Sequence, residues 1–189
     1  MTLSYKEVKE DVHMIISSLD NEEREIPSTL HSLKICSIVP FVSVLLNAVT
    51  FVVVCALANG RAVFDLNNIR YLFNDWGALP VYAAIAIGIA QTLLFVTQVT
   101  LYFSVPNDVR QKSLVLSKVR EKLKNFLIIY FGLILITSFI STYSFMWVFA
   151  TPAIMFVSIF IINFIASIEV AKYGLTPVLT KLSAVCSKI

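Results

Sequence analysis

Charge is what this sequence has least of where a soluble protein would have most. No Asp, Glu, Lys or Arg occurs in residues 35–60, 76–107 or 125–168. Such gaps in a chain of 189 residues, with 58% hydrophobic residues and a mean hydropathy of +0.82, exclude ordinary globular composition, and the apolar surplus has to face lipid. The runs are continuously apolar rather than alternating, which argues against a β-barrel. Histidine is scarce too. His13 and His31 both lie in the N-terminal segment, and neither belongs to a metal-binding or acid–base motif. The chain has no Gly-rich phosphate loop, no paired intramembrane aspartates and no nucleophile elbow, so the expectation is a protein that is not an enzyme and has no cofactor and no metal. Of the three cysteines, Cys36 and Cys55 fall near opposite ends of one predicted helix. At about 1.5 Å per residue they are roughly 28 Å apart and cannot bridge. Five glycines, few of them in apolar runs, argue against the broken helices of many transport sites.

What is present is a set of four apolar segments. The first has its core at 38–58 and the second at 79–103, each long enough to cross about 30 Å of hydrocarbon. The third uncharged interval, 125–168, is too long for one helix and is interrupted by Ser141, Thr142, Tyr143 and Ser144. It reads as a helical hairpin with spans near 125–140 and 144–167, the former short enough to borrow part of the polar cluster or to sit in thinned bilayer. The fold class is therefore all-α: a polytopic membrane protein with a four-helix transmembrane bundle and an N-terminal cytoplasmic amphipathic helix. The segments are a cytoplasmic helix and linker at 1–34, a first span at 35–59, an external loop at 60–77, a second span at 78–103, a basic cytoplasmic loop at 104–124, the hairpin at 125–168 and a cytoplasmic tail at 169–189. Eleven charged residues precede the first apolar run, so no cleavable secretory signal is expected. Lys and Arg number four before the first span, two in 60–77, six in 104–124 and three in the tail, which is thirteen on one face against two on the other. By the positive-inside rule both ends are cytoplasmic.

The N-terminal segment has Ser4 and Glu7 at capping-box spacing, and Tyr5, Val8, Val12, Ile15 and Leu19 recur on one face at helical spacing. That face is either a docking surface for a cytoplasmic partner or the side on which the helix lies against the bilayer or its own bundle. The net charge of +3 and pI near 8.8 are concentrated in the 104–124 loop, where basic groups alternate with Leu116, Val119 and Leu123. A basic helix extending the third span and attracted to anionic lipid headgroups accounts for this, and no direct nucleic-acid partner is expected. In the 60–77 loop, Leu66, Ile69, Leu72, Phe73 and Trp76 follow helical spacing. The loop is either an interfacial helix or a recognition surface for a partner, the latter with Asp65, Asn67, Asn68, Arg70, Tyr71, Asn74, Asp75 and Trp76 as contacts.

Within the spans the polar set is Asn47, Gln91, Gln98 and Asn163 with several Ser and Thr, residues that more often join helices than bind a substrate. Ala84, Gly88 and Thr92 repeat every four residues and would let a neighbouring helix approach, either within the chain or between copies in a homo-oligomer. Pro40 and Pro152 read as markers of helix boundaries.

Short connections, no ionisable pathway residue and one docking helix describe a protein that acts by binding another membrane protein. An exclusion or immunity protein, an assembly subunit of a membrane complex and a transporter with an uncharged route all fit. The succession of the amphipathic helix over 4–19, the acidic stretch 20–25, Ile26-Pro27-Ser28 and a multi-span apolar body resembles the TraS entry exclusion proteins of F-like conjugative plasmids. The resemblance is one of layout. It implies a bacterial inner-membrane protein that blocks redundant conjugative DNA transfer by recognising a donor mating-machinery protein, TraG. An immunity protein against a pore-forming bacteriocin has a related layout. The charge count predicts that reporters fused after residue 189 and within 104–124 behave as cytoplasmic and one within 60–77 as external. The opposite pattern would invert the topology.

Overall fold

The computed structural model describes residues 4–19, 28–59 and 78–173. The 60–77 loop, the acidic stretch 20–25 and the tail from 174 onward lie outside the described residues. Among the described residues every regular element is helical: α1 (Tyr5–Leu19), α2 (Thr29–Asn59), α3 (Leu79–Phe103), α4 (Asn107–Lys112), α5 (Leu114–Ser141), a 3-10 turn (Phe145–Phe149) and α6 (Ala150–Tyr173). Four helical stretches, Thr29–Ala58, Leu79–Phe103, Leu114–Ser141 and Phe145–Tyr173, are long and apolar enough to cross a membrane. The four expected spans are therefore present.

Three boundaries differ from the expectation. Helix α2 starts at Thr29, well before residue 35, because the Ser28 hydroxyl accepts the His31 N–H at 3.1 Å and caps the helix. Pro40 consequently lies inside α2 and marks no boundary. It is tolerated there although it removes one backbone donor and leaves the Cys36 carbonyl without its usual partner. Helix α5 begins at Leu114 and runs 28 residues, about 42 Å, so the third span is not short. Its N-terminal turns carry Lys118, Arg120, Lys122 and Lys124, as expected of a basic extension. The expected single basic helix is split at Ser113, which separates α4 from α5. The hairpin turn falls on Thr142 and Tyr143, whose N–H groups donate to Phe139 and Ile140 carbonyls at 3.2 and 3.0 Å. Pro152 lies in the first turn of α6, where the missing donor costs little.

The chain divides into two compact units, one of Met1–Ile35, Leu94–Phe126 and Ile161–Ile189, the other of Cys36–Leu93 and Leu127–Phe160. In the second unit, segments of four membrane-crossing helices are joined by polar side chains. The Gln91 amide nitrogen on α3 donates to the Met155 carbonyl and the Ser158 hydroxyl on α6, both at 2.8 Å. Ser43 on α2 and Tyr130 on α5 share a hydrogen bond of 2.8 Å between their hydroxyls. The Asn47 amide on α2 donates to the Pro80 carbonyl on α3 at 3.0 Å. Among the described residues the Gln91 Oε1 has no donor at hydrogen-bonding distance. An apolar cluster of Phe51, Val54, Cys55, Ala78, Val81 and Val148 fills the same unit.

The small-residue stripe is used within the chain. Ala84 and Gly88 are buried, and a Cβ on Gly88 would lie 3.2 Å from Val44 Cγ2, 3.5 Å from Pro40 Cβ and 3.6 Å from Met155 Cε. Thr92 is half-buried and its hydroxyl donates to the Gly88 carbonyl at 2.9 Å, so it decorates its own helix rather than a neighbour's. Gly132 on α5 is different, because among the described residues a Cβ there would meet nothing within 4 Å. Two glycine substitutions therefore have opposite expected signs. Gly88→Leu should cost about 1–3 kcal/mol through overpacking, and Gly132→Ala should gain up to about 1 kcal/mol from helix propensity. Thermal unfolding in micelles checks both, and equal effects at the two positions would contradict this packing.

Candidate functional site

The first unit gathers the N-terminal helix, the basic segment and the last turns of α6, and its geometry follows from how α1 is held. Helix α1 starts with a reciprocal cap. The Ser4 N–H donates to Glu7 Oε2 at 2.7 Å and the Glu7 N–H donates to Ser4 Oγ at 3.3 Å, as the spacing of the two residues predicts. The Ser4 backbone N–H, and then its side chain, hold the Glu7 carboxyl below the usual carboxylate range.

One face of α1 is used inside the protein. Ile15 is fully buried with Val105 and Val115, and Val8, Val12 and Ile16 pack against that cluster together with Leu101, Val109, Leu116, Val170 and Tyr173. Of the five residues read as a docking face, Val8, Val12 and Ile15 thus contact this unit's own core, and Tyr5 is exposed. Leu19 ends α1, and its side chain lies outside the described residues. The structure brings three of the five together, in the arrangement expected for a helix resting on its own protein.

A residue that periodicity did not single out fixes this arrangement. Asp11 is only 6% exposed, and its carboxylate closes the N-terminus of α5. It accepts the Ser113 hydroxyl at 2.7 Å, the Leu114 N–H at 3.2 Å and the Val115 N–H at 2.9 Å, while Ser113 Oγ accepts the Leu116 N–H at 3.1 Å. The first three orphan donors of α5 are therefore satisfied, and a negative charge sits at the positive end of its dipole. A sequence signal existed. Asp11 falls three residues after Val8 and four before Ile15, so it lies in the apolar stripe, where an unpaired carboxylate would be costly.

The basic segment is sorted into paired and unpaired charges. Lys118 pairs with Glu121 at 3.1 Å on the surface of α5, and Lys122 pairs with Glu169 of α6. Glu169 is 2% exposed, and among the described residues its second oxygen has no hydrogen-bond donor. Arg120 Nη2 donates to the Arg110 carbonyl at 3.2 Å. Further along the same unit, the Gln98 amide donates to Asn163 Oδ1 at 3.1 Å, joining α3 to α6 as expected of these polar residues. The eight candidate recognition residues, Asp65, Asn67, Asn68, Arg70, Tyr71, Asn74, Asp75 and Trp76, all lie outside the described residues.

These features define a class: a multi-pass α-helical membrane protein in which an N-terminal helix is latched onto the segment between the second and third spans. No protein-family model, no curated protein and no solved structure matches this chain.

The latch gives two expected outcomes. Asp11→Ala should expose the Leu114 and Val115 amides and the residues of α1 to hydrogen exchange, lowering local opening free energy by about 1.5–3 kcal/mol, with a smaller loss for Asp11→Asn. Unchanged protection of α1 would contradict the latch. The lowered Glu7 value means that its capping contribution is complete above the titration of an unfolded glutamate and is lost as pH falls through the lowered value. The first turn of α1 should therefore hold at neutral pH and loosen in acid, as read by NMR titration of the Ser4 and Glu7 amides.

Proposed function

We propose that this protein acts by binding another membrane protein, and that it is an entry exclusion protein of the bacterial inner membrane, with both termini cytoplasmic, that blocks redundant conjugative DNA transfer. The observation that carries the binding reading is the use made of the intramembrane polar residues. Ser43, Asn47, Gln91, Tyr130 and Ser158 all engage neighbouring helices, which suits a body that is a scaffold more than one that conducts a solute. No catalytic step is part of the proposal.

The assignment to entry exclusion rests on the layout of α1, the acidic stretch and the apolar body, with the donor's TraG as the protein recognised. The occupied face of α1 supports placing recognition on the 60–77 loop, because Val8, Val12 and Ile15 already contact their own unit. Trp76, Tyr71 and Arg70 are of the residue types that dominate protein contacts.

Mating into recipients that express this chain tests the reading. A drop in transfer from a donor with a matched F-like plasmid, and none from an unmatched donor, is the expected result. Arg70→Ala or Trp76→Ala should then weaken exclusion by roughly tenfold or more. If no donor is excluded the entry exclusion reading fails, and protection against one pore-forming bacteriocin, or co-purification with a complex of the same cell, would assign the chain to immunity or assembly instead.

A further inference from the structure

Of the four basic groups in this segment without a carboxylate partner among the described residues, two, Arg110 and Arg120, are brought together. Arg110 on α4 sets its guanidinium carbon 4.8 Å from the ring centroid of Phe103 and 5.3 Å from that of Tyr102. The His31 ring at the start of α2 packs edge-on against Phe103 at 5.4 Å. Arg120 reaches from α5 to the carbonyl of Arg110. Among the described residues no carboxylate lies within ion-pair distance of either arginine, whereas Lys118 and Lys122 in the same segment each have one. Asp108 is exposed and two residues from Arg110, a spacing that does not face it on a helix. Among the described residues the buried Arg110 Nε has no acceptor.

Position supplies the second half of the argument. Tyr102 and Phe103 are the last residues of α3, a membrane-crossing helix, and aromatic side chains at the end of a span lie at the level of the lipid headgroups. A guanidinium held over aromatic rings gains cation–π attraction without using its N–H donors, and phosphate oxygens are acceptors that its donor fork suits. Diffuse attraction between lysines and a charged surface needs no such bracing.

We propose that Arg110, braced by Tyr102 and Phe103, together with Arg120, which is held at the Arg110 carbonyl, forms a binding site for the phosphate of an anionic phospholipid headgroup. The site depends on the protein crossing a membrane and not on entry exclusion. A headgroup is favoured over free phosphate because the rings stand where a span leaves the hydrocarbon.

The test uses the full chain in detergent, with bound lipid read by native mass spectrometry during titration with phosphatidylglycerol or phosphatidylcholine, and a parallel arm with inorganic phosphate. Selective retention of phosphatidylglycerol is expected. Arg110→Gln and Arg120→Gln should each weaken it roughly tenfold or more, while Lys112→Gln and Lys124→Gln, which remove the same charge from the same segment, should leave it within about twofold of the parent. Phe103→Leu, which keeps every charge, should also weaken it, and Arg120→Gln at an exposed side chain guards against misfolding of the Arg110 variant. Equal losses across all four charge variants, or no preference over phosphatidylcholine, would overturn the site. Saturation by inorganic phosphate with the same dependence on Arg110 would overturn its assignment to lipid.

Discussion

Gln91 is the residue on which the second unit turns. It is the thirteenth of the twenty-five residues of α3, so it stands at the middle of a span where no water can take over a hydrogen bond that the protein fails to make. Its amide nitrogen has to find acceptors on another helix, and it finds two on α6, the Met155 carbonyl and the Ser158 hydroxyl. That requirement sets the register of α3 against α6, because a rotation of either helix by one residue would carry the amide toward lipid. Once the register is set, Gly88, one turn earlier, faces Val44, Pro40 and Met155, and the absence of a side chain there permits the close approach. Ser43 with Tyr130, and Asn47 with the Pro80 carbonyl, bring α2 and α5 under the same rule. Apolar side chains fill the remaining space but cannot choose a register alone, since lipid tails are as apolar as they are.

In the first unit the same constraint acts on a charge. A buried carboxylate needs partners, and Asp11 obtains three from the N-terminus of α5, a helix end that needs an acceptor as much as Asp11 needs donors. Two costs cancel in one contact, and its by-product is the position of α1. The apolar face of α1 then packs inward, leaving its charged face outward. The basic segment is divided at Ser113 by the same event, since Ser113 ends α4 and caps α5. Arg110 is left on the short helix, its guanidinium over the rings that close α3. One capping interaction thus governs both the placement of the N-terminal helix and the geometry of the arginine site.

Much of the architecture is legible in the sequence for one reason. Uncharged intervals of this length have a single physical solution in a bilayer, and the turn at Thr142 and Tyr143 lies inside the polar cluster that interrupts the longest interval. The Ser4 and Glu7 cap is equally legible, because it depends on two residues three apart. Legibility fails where partners are distant in sequence. Asp11 and Leu114 are 103 residues apart and Lys122 and Glu169 are 47 apart, so spacing within a segment could not pair them. In the sequence Pro40 looks like a boundary because a hydrophobic run begins near it, but the helix is started upstream by the Ser28 cap, and capping is decided by hydrogen bonding rather than hydropathy. The stripe of Ala84 and Gly88 was legible as a packing face but not as to its occupant, which is supplied by side chains of α2 and α6.

Polar side chains within the spans join one helix to another, and a double-mutant cycle on Gln91 and Ser158 measures that joining most directly. Gln91→Leu, Ser158→Ala and the double variant would be compared by reversible unfolding in mixed micelles, with the coupling free energy taken from the four stabilities. A favourable coupling of about 0.6 kcal/mol is expected, and no more than about 1.7 kcal/mol, the average and the maximum for interhelical hydrogen bonds in membranes. Additive effects with no coupling, together with full stability of the Gln91→Leu variant, would contradict it and return Gln91 to the residues available for a ligand or a transport route.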